Sequence, residues 1–192
     1  MVEIRIHGLG GQGVVTMSEI LALACYYSGS EAQSFPWFGP ERTGAPVTGF
    51  IRLDNKPIRL RSQIYSPDII IVTDEKLLTK IDVSEGAKTT TKLIINTALP
   101  HAEISKKIKL KPKCRSDRAS SIKSGQIICY NSSAVVADKR LSNSAMLGFV
   151  AKTMNLASLA NCALAIKAKL KDKEAPVIKA NTEAMNKGYA NK

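Results

Sequence analysis

The chain has 192 residues, of which 44% are hydrophobic and 23% charged, a composition that excludes a wholly disordered chain and suits a single domain. Lys and Arg number 28 against 16 Asp and Glu, giving a formal net charge of +12. No stretch approaches the ~18 consecutive apolar residues of a membrane span. The start, Met1-Val-Glu-Ile4, lacks the basic and apolar regions of an export signal, so a soluble cytoplasmic protein is expected.

The charge is unevenly placed. Residues 1–100 carry ten basic and ten acidic side chains, so the whole excess lies in residues 101–192, most densely from Lys106 to Arg118. A basic run of this kind fits either a nucleic-acid footprint or a solvated face that meets an acidic partner or an anionic ligand. No aromatic residue interrupts it and no recognition-helix or RNA-binding pattern accompanies it, which favours the second reading and a protein with no nucleic-acid partner.

In chain order, Val2–His7 has the β-branched content of a strand, and Gly8-Leu-Gly-Gly-Gln-Gly13 follows it directly. Val14–Ser28 then has apolar residues at helical spacing, with Gly29 as the stop and a short strand expected at Ala32–Phe35. The segment Pro36–Pro46 holds three prolines, two glycines and the single tryptophan, which excludes helix and predicts a loop. Val47–Leu53 and Pro57–Arg61 are expected as two antiparallel strands around a turn at Asp54-Asn55-Lys56. Asp68–Thr73, Leu93–Asn96 and Gln126–Tyr130 have the continuous apolar character of strands covered on both faces. Asn143–Lys169 reads as two amphipathic helices and Pro176–Tyr189 as a last, peripheral one. Strands alternating with helices predict an α/β fold, a Rossmann-like three-layer sandwich with a mainly parallel sheet and a C-terminal helical portion, in one domain spanning 1–192.

Four cysteines, Cys25, Cys114, Cys129 and Cys162, show no metal-site spacing and are read as reduced thiols. No Ser–His–acid, Cys–His or paired-carboxylate grouping can be assembled, so no catalytic residue and no metal ligand is assigned. His7 is read as a hydrogen-bonded structural residue at the end of the first strand.

Gly8, Gly10 and Gly13 satisfy G-x-G-x-x-G between a strand and a helix, where glycine lets an anion approach the backbone and the helix start favours negative charge. A purely structural loop is the other reading. A dinucleotide would need an acidic residue at the end of the second strand, ~20 residues on. Glu31 falls at that strand's beginning instead, which favours phosphate or pyrophosphate without a nicotinamide. Arg42 either adds a guanidinium to that anion or stands as a surface cation beside Glu41.

Four segments carry a resemblance: Glu3–Thr16 with the glycine loop, Phe35-Pro-Trp-Phe-Gly-Pro-Glu-Arg-Thr-Gly-Ala-Pro46, Lys56-Pro-Ile-Arg59 and Asn143-Ser-Ala-Met-Leu-Gly148. In this order they resemble the gamma subunits of 2-oxoacid:ferredoxin oxidoreductases, most closely the pyruvate type. The resemblance implies a multi-subunit enzyme converting pyruvate and coenzyme A to acetyl-CoA and CO2 while reducing ferredoxin. A branched-chain 2-oxoacid enzyme is the alternative within the family, and a stand-alone Rossmann-like nucleotide-binding protein the alternative outside it. Alpha, beta and delta-type subunits would be partners, with thiamine diphosphate, Mg and the iron–sulfur clusters on those chains. This chain would handle coenzyme A: Gly8, Gly10, Gly11, Gln12 and Gly13 would present backbone or amide donors, and Arg42 would pair with phosphate beside Thr43 and Gly44. Many relatives carry two basic residues where this chain has Arg42-Thr43, so basic residues of the second half are candidates for the missing charge.

Overall fold

The computed structural model describes residues 1–37, 44–109 and 122–191. Arg42, Thr43 and the basic run from residue 110 onward therefore lie outside the described residues. Six strands form one sheet: β1 (Val2–Leu9), β2 (Glu31–Trp37), β3 (Pro46–Asp54), β4 (Ile69–Val72), β5 (Lys92–Asn96) and β6 (Ile127–Tyr130), in the order β2-β3-β1-β4-β5-β6. β1, β4, β5 and β6 lie side by side in parallel. β3 alone runs against its neighbours, antiparallel to both β1 and β2. The sheet is mainly parallel, as the alternation of strands and helices predicts.

The pleat of each buried strand serves two cores. Ile4, Ile6, Ile51, Ile71 and Ile94 face a cluster that includes Leu21 and Ala24 of α1 (Val14–Tyr27), Leu147 and Val150 of α5 (Ser142–Thr153), and Ile166 of α6 (Leu159–Lys169). The intervening residues Ile70, Val72, Leu93 and Ile95 face Leu77 and Leu78 of α2 (Leu77–Lys80) and Ile104 and Ile108 of α3 (His101–Lys109). Strands apolar on both faces are what a parallel sheet between two helical layers requires.

Between α5 and α6 the chain turns at Asn155 (φ 51°), and Ser158 caps α6 by accepting from Asn161 N at 3.2 Å. The last helix, α7 (Ala175–Ala190), begins with Pro176 in its first turn, as expected, but is not peripheral. It packs backbone against backbone on α5, where a Cβ added at Gly188 would stand 1.8 Å from Ala145 O.

Two other expectations need correction. β2 is longer than Ala32–Phe35 and takes in Pro36 and Trp37, which pair with Gly49 and Thr48. Proline is tolerated there because β2 is an edge strand. Pro57–Arg61 forms no strand, since both edges of β3 are already occupied by β1 and β2. Arg52 instead takes one carbonyl of this segment and one just beyond it: Nη1 donates to Leu60 O and Nη2 to Gln63 O, each at 3.3 Å.

Candidate functional site

The carboxyl ends of β1 and β4 mark the point where the chain diverges. After β1 it runs through α1 to β2 on one side, and after β4 it runs to β5 on the other. Open α/β sheets bind ligands in the crevice at such a point. A cleft of about 750 Å3 lies there, within the usual size range of small-molecule sites. Its lining comes from the glycine loop, the residues following β4, β5 and β6, and the start of α5.

The glycine loop is built for close approach at two points. A Cβ at Gly8 would stand 2.1 Å from Val14 Cγ2 and 2.5 Å from Thr73 Oγ1, so glycine there brings α1 against the strand ends. Gly13 adopts φ 75° and forms the N-cap of α1 with no side-chain cap hydrogen bond. Gly10 is stitched to the far flank of the Pro-rich loop, with Gly10 N donating to Ala45 O at 2.8 Å and Gly44 N to Gly10 O at 3.2 Å. The glycine loop and the end of the Pro-rich segment thus lie side by side at these residues.

Gln12 is exposed at the cleft, and its side chain hydrogen-bonds to neighbouring residues of the chain. Its Oε1 accepts from Leu9 N at 3.1 Å and its Nε2 donates to Asp74 Oδ2 at 2.9 Å. Gly11, Gln12 and Gly13 line the cleft, whereas Gly8, Gly10 and Gly44 are not among its lining residues. Glu31 pairs with Asp54 at the opposite end of the sheet from the glycine loop. His7 is buried, with its Nδ1 3.5 Å from Thr48 Oγ1.

Residues that sequence reasoning gave no role complete the floor. Asn96, at the end of β5, donates Nδ2 to Thr73 O at 3.0 Å and to Ser142 Oγ at 3.3 Å. Its Oδ1 accepts from Ser132 N at 2.9 Å and Ser132 Oγ at 2.8 Å. One amide thus ties the ends of three strands to the start of α5. Asn143, in the first turn of α5, donates Nδ2 to Gln12 O. The Asn143–Gly148 segment was a legible motif, but its role depended on a partner 131 residues away.

α5 also opens without a side-chain cap hydrogen bond. The starts of two full helices, α1 and α5, therefore meet at one cleft without side-chain caps, although the first N–H of α5, that of Ser142, donates to Lys139 O in the preceding turn. Each helix start carries about half a positive charge, which makes the cleft favourable for an anion. The described side chains around it are otherwise balanced: Lys76, Lys139 and Arg140 stand against Asp74 and Glu75 in the lining and Asp138 beside it. Arg140 Nη2 lies 2.7 Å from Asp138 Oδ2, a pairing that raises the Arg140 pKa and, through its hydrogen bonds, lowers that of Asp138. Among the described residues, Lys139 and Arg140 are the second-half cations at the site. Among the described residues no three His, Cys, Asp or Glu side chains group as a metal site.

The sequence profile of the pyruvate ferredoxin/flavodoxin oxidoreductase family matches residues 3–191. The chain belongs to this family. A Thermococcus kodakarensis protein, the common gamma subunit of pyruvate/ketoisovalerate oxidoreductases, is 41% identical over 194 residues, covering 97% of each chain. The crystal structure of the pyruvate oxidoreductase subunit PORC of Thermotoga maritima superposes with a TM-score of 0.76 at 28% identity, over 98% of this chain and 94% of that one. The fold also recurs in a 2-oxoglutarate:ferredoxin oxidoreductase of Magnetococcus marinus, solved with 2-oxoglutarate, coenzyme A and succinyl-CoA bound, with a TM-score of 0.67 at 19% identity. That match covers 98% of this chain but 30% of the larger one. The relatives of this chain in the family are gamma and PorC subunits of multi-subunit oxidoreductases. No described helix is long and apolar enough to cross a membrane.

Proposed function

We propose that this chain is the gamma subunit of a cytoplasmic pyruvate:ferredoxin oxidoreductase and that its cleft holds the phosphate end of coenzyme A. It works with alpha, beta and delta-type subunits, which carry thiamine diphosphate, Mg and the iron–sulfur clusters, and the assembled enzyme passes electrons to ferredoxin. The convergence of the starts of α1 and α5, both without side-chain caps, on one cleft carries the coenzyme A reading. Backbone N–H groups at Gly11, Gly13 and the first turns of both helices would take the pyrophosphate, with Lys139, Arg140 and Arg42 as the cations. The carboxylates of Asp74 and Glu75 suit a ligand that brings hydroxyl and amide donors along with its phosphates, as coenzyme A does and a bare phosphate does not.

This chain's part is binding and positioning; it supplies no group to the carbon chemistry. The Thermococcus relative is named as common to pyruvate and ketoisovalerate enzymes. That supports a second use of the same chain, in a branched-chain 2-oxoacid enzyme, with the oxoacid selected elsewhere.

Steady-state kinetics of the complex test the coenzyme A reading. Lys139→Ala with Arg140→Ala, and separately Arg42→Ala, are expected to raise KM for coenzyme A about tenfold, or about 1.4 kcal/mol, with KM for pyruvate unchanged. Unchanged coenzyme A kinetics in both variants would overturn it.

A further inference from the structure

The segment from Asn55 to Ser66 joins no strand or helix, yet it is fastened with unusual care. Arg52 is 1% exposed and spends its guanidinium on it. Nε is held by Glu3 Oε1 at 2.9 Å, the ring of Phe35 lies 5.5 Å away, and Nη1 and Nη2 hold the carbonyls of Leu60 and Gln63. Ile64, 2% exposed, anchors the far end.

What this scaffold displays is not what a solvated loop displays. Leu60 is 50% exposed, Tyr65 is 69% exposed, and Arg59 and Arg61 flank Leu60 on the surface. Tyr and Arg are the residue types enriched at the energetic centres of protein interfaces. A segment fixed before contact loses little conformational entropy on docking. Between Asn55 and Ser66 the charged residues are Lys56, Arg59 and Arg61, with no carboxylate among them. The Lys56-Pro-Ile-Arg59 motif, which the coenzyme A cleft leaves unused, opens this strip.

We propose that residues 56–65 form a preorganised docking strip for a sibling subunit that offers an apolar recess for Leu60 and Tyr65, rimmed by carboxylates for Arg59 and Arg61. The proposal rests on the reading of this chain as one subunit of a larger enzyme. A second copy of the same chain is a poor occupant, because a two-fold contact would set three cations against three with no carboxylate between them. A nucleic acid would reward the cations but leave Leu60 without a use.

The test uses the complex reconstituted from all its subunits. Two double variants are compared with wild type, Leu60→Asp with Tyr65→Ser and Arg59→Glu with Arg61→Glu, and each free chain is checked by its unfolding midpoint. At least a tenfold loss of incorporation, with the midpoint unchanged, is expected in size-exclusion profiles and native mass spectra. A photo-crosslinking amino acid at position 60 gives an independent readout that does not depend on either variant folding, and its adducts are expected on an acidic segment of a sibling subunit. Full incorporation of both folded variants would overturn the proposal, as would adducts confined to a second copy or to nucleic acid. Should wild type itself fail to join the complex, the subunit reading falls and this proposal with it. Should wild type and variants join equally, only the docking strip falls.

Discussion

Asn143 hands its side-chain amide to the carbonyl of Gln12, fastening the start of α5 to the glycine loop at the start of α1. The same amide nitrogen lies 3.9 Å from where a Cβ on Gly13 would stand. Two helix dipoles are thereby held with their positive ends at one cleft, although 131 residues separate the two partners in sequence. Asn143→Ala removes the fastening and leaves both helices otherwise intact. Because the bond is exposed, the expected cost in stability is at most about 1 kcal/mol. Coenzyme A affinity of the complex, measured by calorimetry, is expected to fall about tenfold, since the two helix starts no longer share a fixed geometry.

The contact between α5 and α7 yields a prediction that separates close packing from conformational preference. A Cβ at Gly188 would lie 1.8 Å from Ala145 O, and one at Gly148 would lie 2.1 Å from Met185 O, both backbone atoms that cannot rotate away. Gly125 has nothing within 4 Å. Gly188→Ala and Gly148→Ala are each expected to destabilise the chain by about 2–3 kcal/mol, and Gly125→Ala by less than about 0.5 kcal/mol, in urea unfolding. Equal midpoints for the three variants would contradict the packing described.

What could be read from the sequence follows from what is local. β1, its glycine loop and α1 were legible because strand, turn and helix signals adjoin. The three parallel strands beyond β1, namely β4, β5 and β6, were legible because residues such as Ile69–Val72 are apolar without interruption. Pro57–Arg61 misled because its pattern suits a strand, while the decision lay in strand order: β3 had no free edge left. The floor of the cleft was invisible for a related reason. Asn96 is one asparagine among many until Thr73, Ser132 and Ser142, lying 23, 36 and 46 residues away, close around it. Gln12 lies in the loop that the glycine spacing marks, but the contacts of its amide with Leu9 and Asp74, the latter 62 residues away, carry no local signal.

Arg52 offers a test of how the docking strip is held. Its side chain is fully buried and its three nitrogens serve Glu3, Leu60 and Gln63. Arg52→Met leaves Glu3 without its ion pair and frees two carbonyls, for an expected loss of about 3–5 kcal/mol. Amide exchange in residues 57–66 is expected to accelerate more than in β4 or β5. Uniform acceleration across the sheet would mean that Arg52 supports the core at large rather than this segment.

The buried thiols give a prediction in pH. Burial, with the charge of Cys162 as a lesser contribution, pushes the Cys25 pKa from 9.0 up to about 12, and burial pushes Cys162 up to about 11. Both stay protonated and poorly nucleophilic in the folded chain at pH 8. A thiol-specific disulfide reagent is expected to spare them while modifying the half-buried Cys129 faster. The unfolded chain loses these protons near pH 9 and the folded chain only above about 11 and about 12, so the folded state binds more protons in that window. Stability from the two protonated thiols is whole below pH 9 and declines as pH rises toward the folded values. The slope approaches about 1.4 kcal/mol per pH unit for each thiol. Urea unfolding at pH 8 and pH 10.5, with Cys114→Ser in both backgrounds, reads this directly. Cys25→Ala with Cys162→Ala is expected to flatten the alkaline decline relative to the parent, and an unchanged slope would show that other groups carry it.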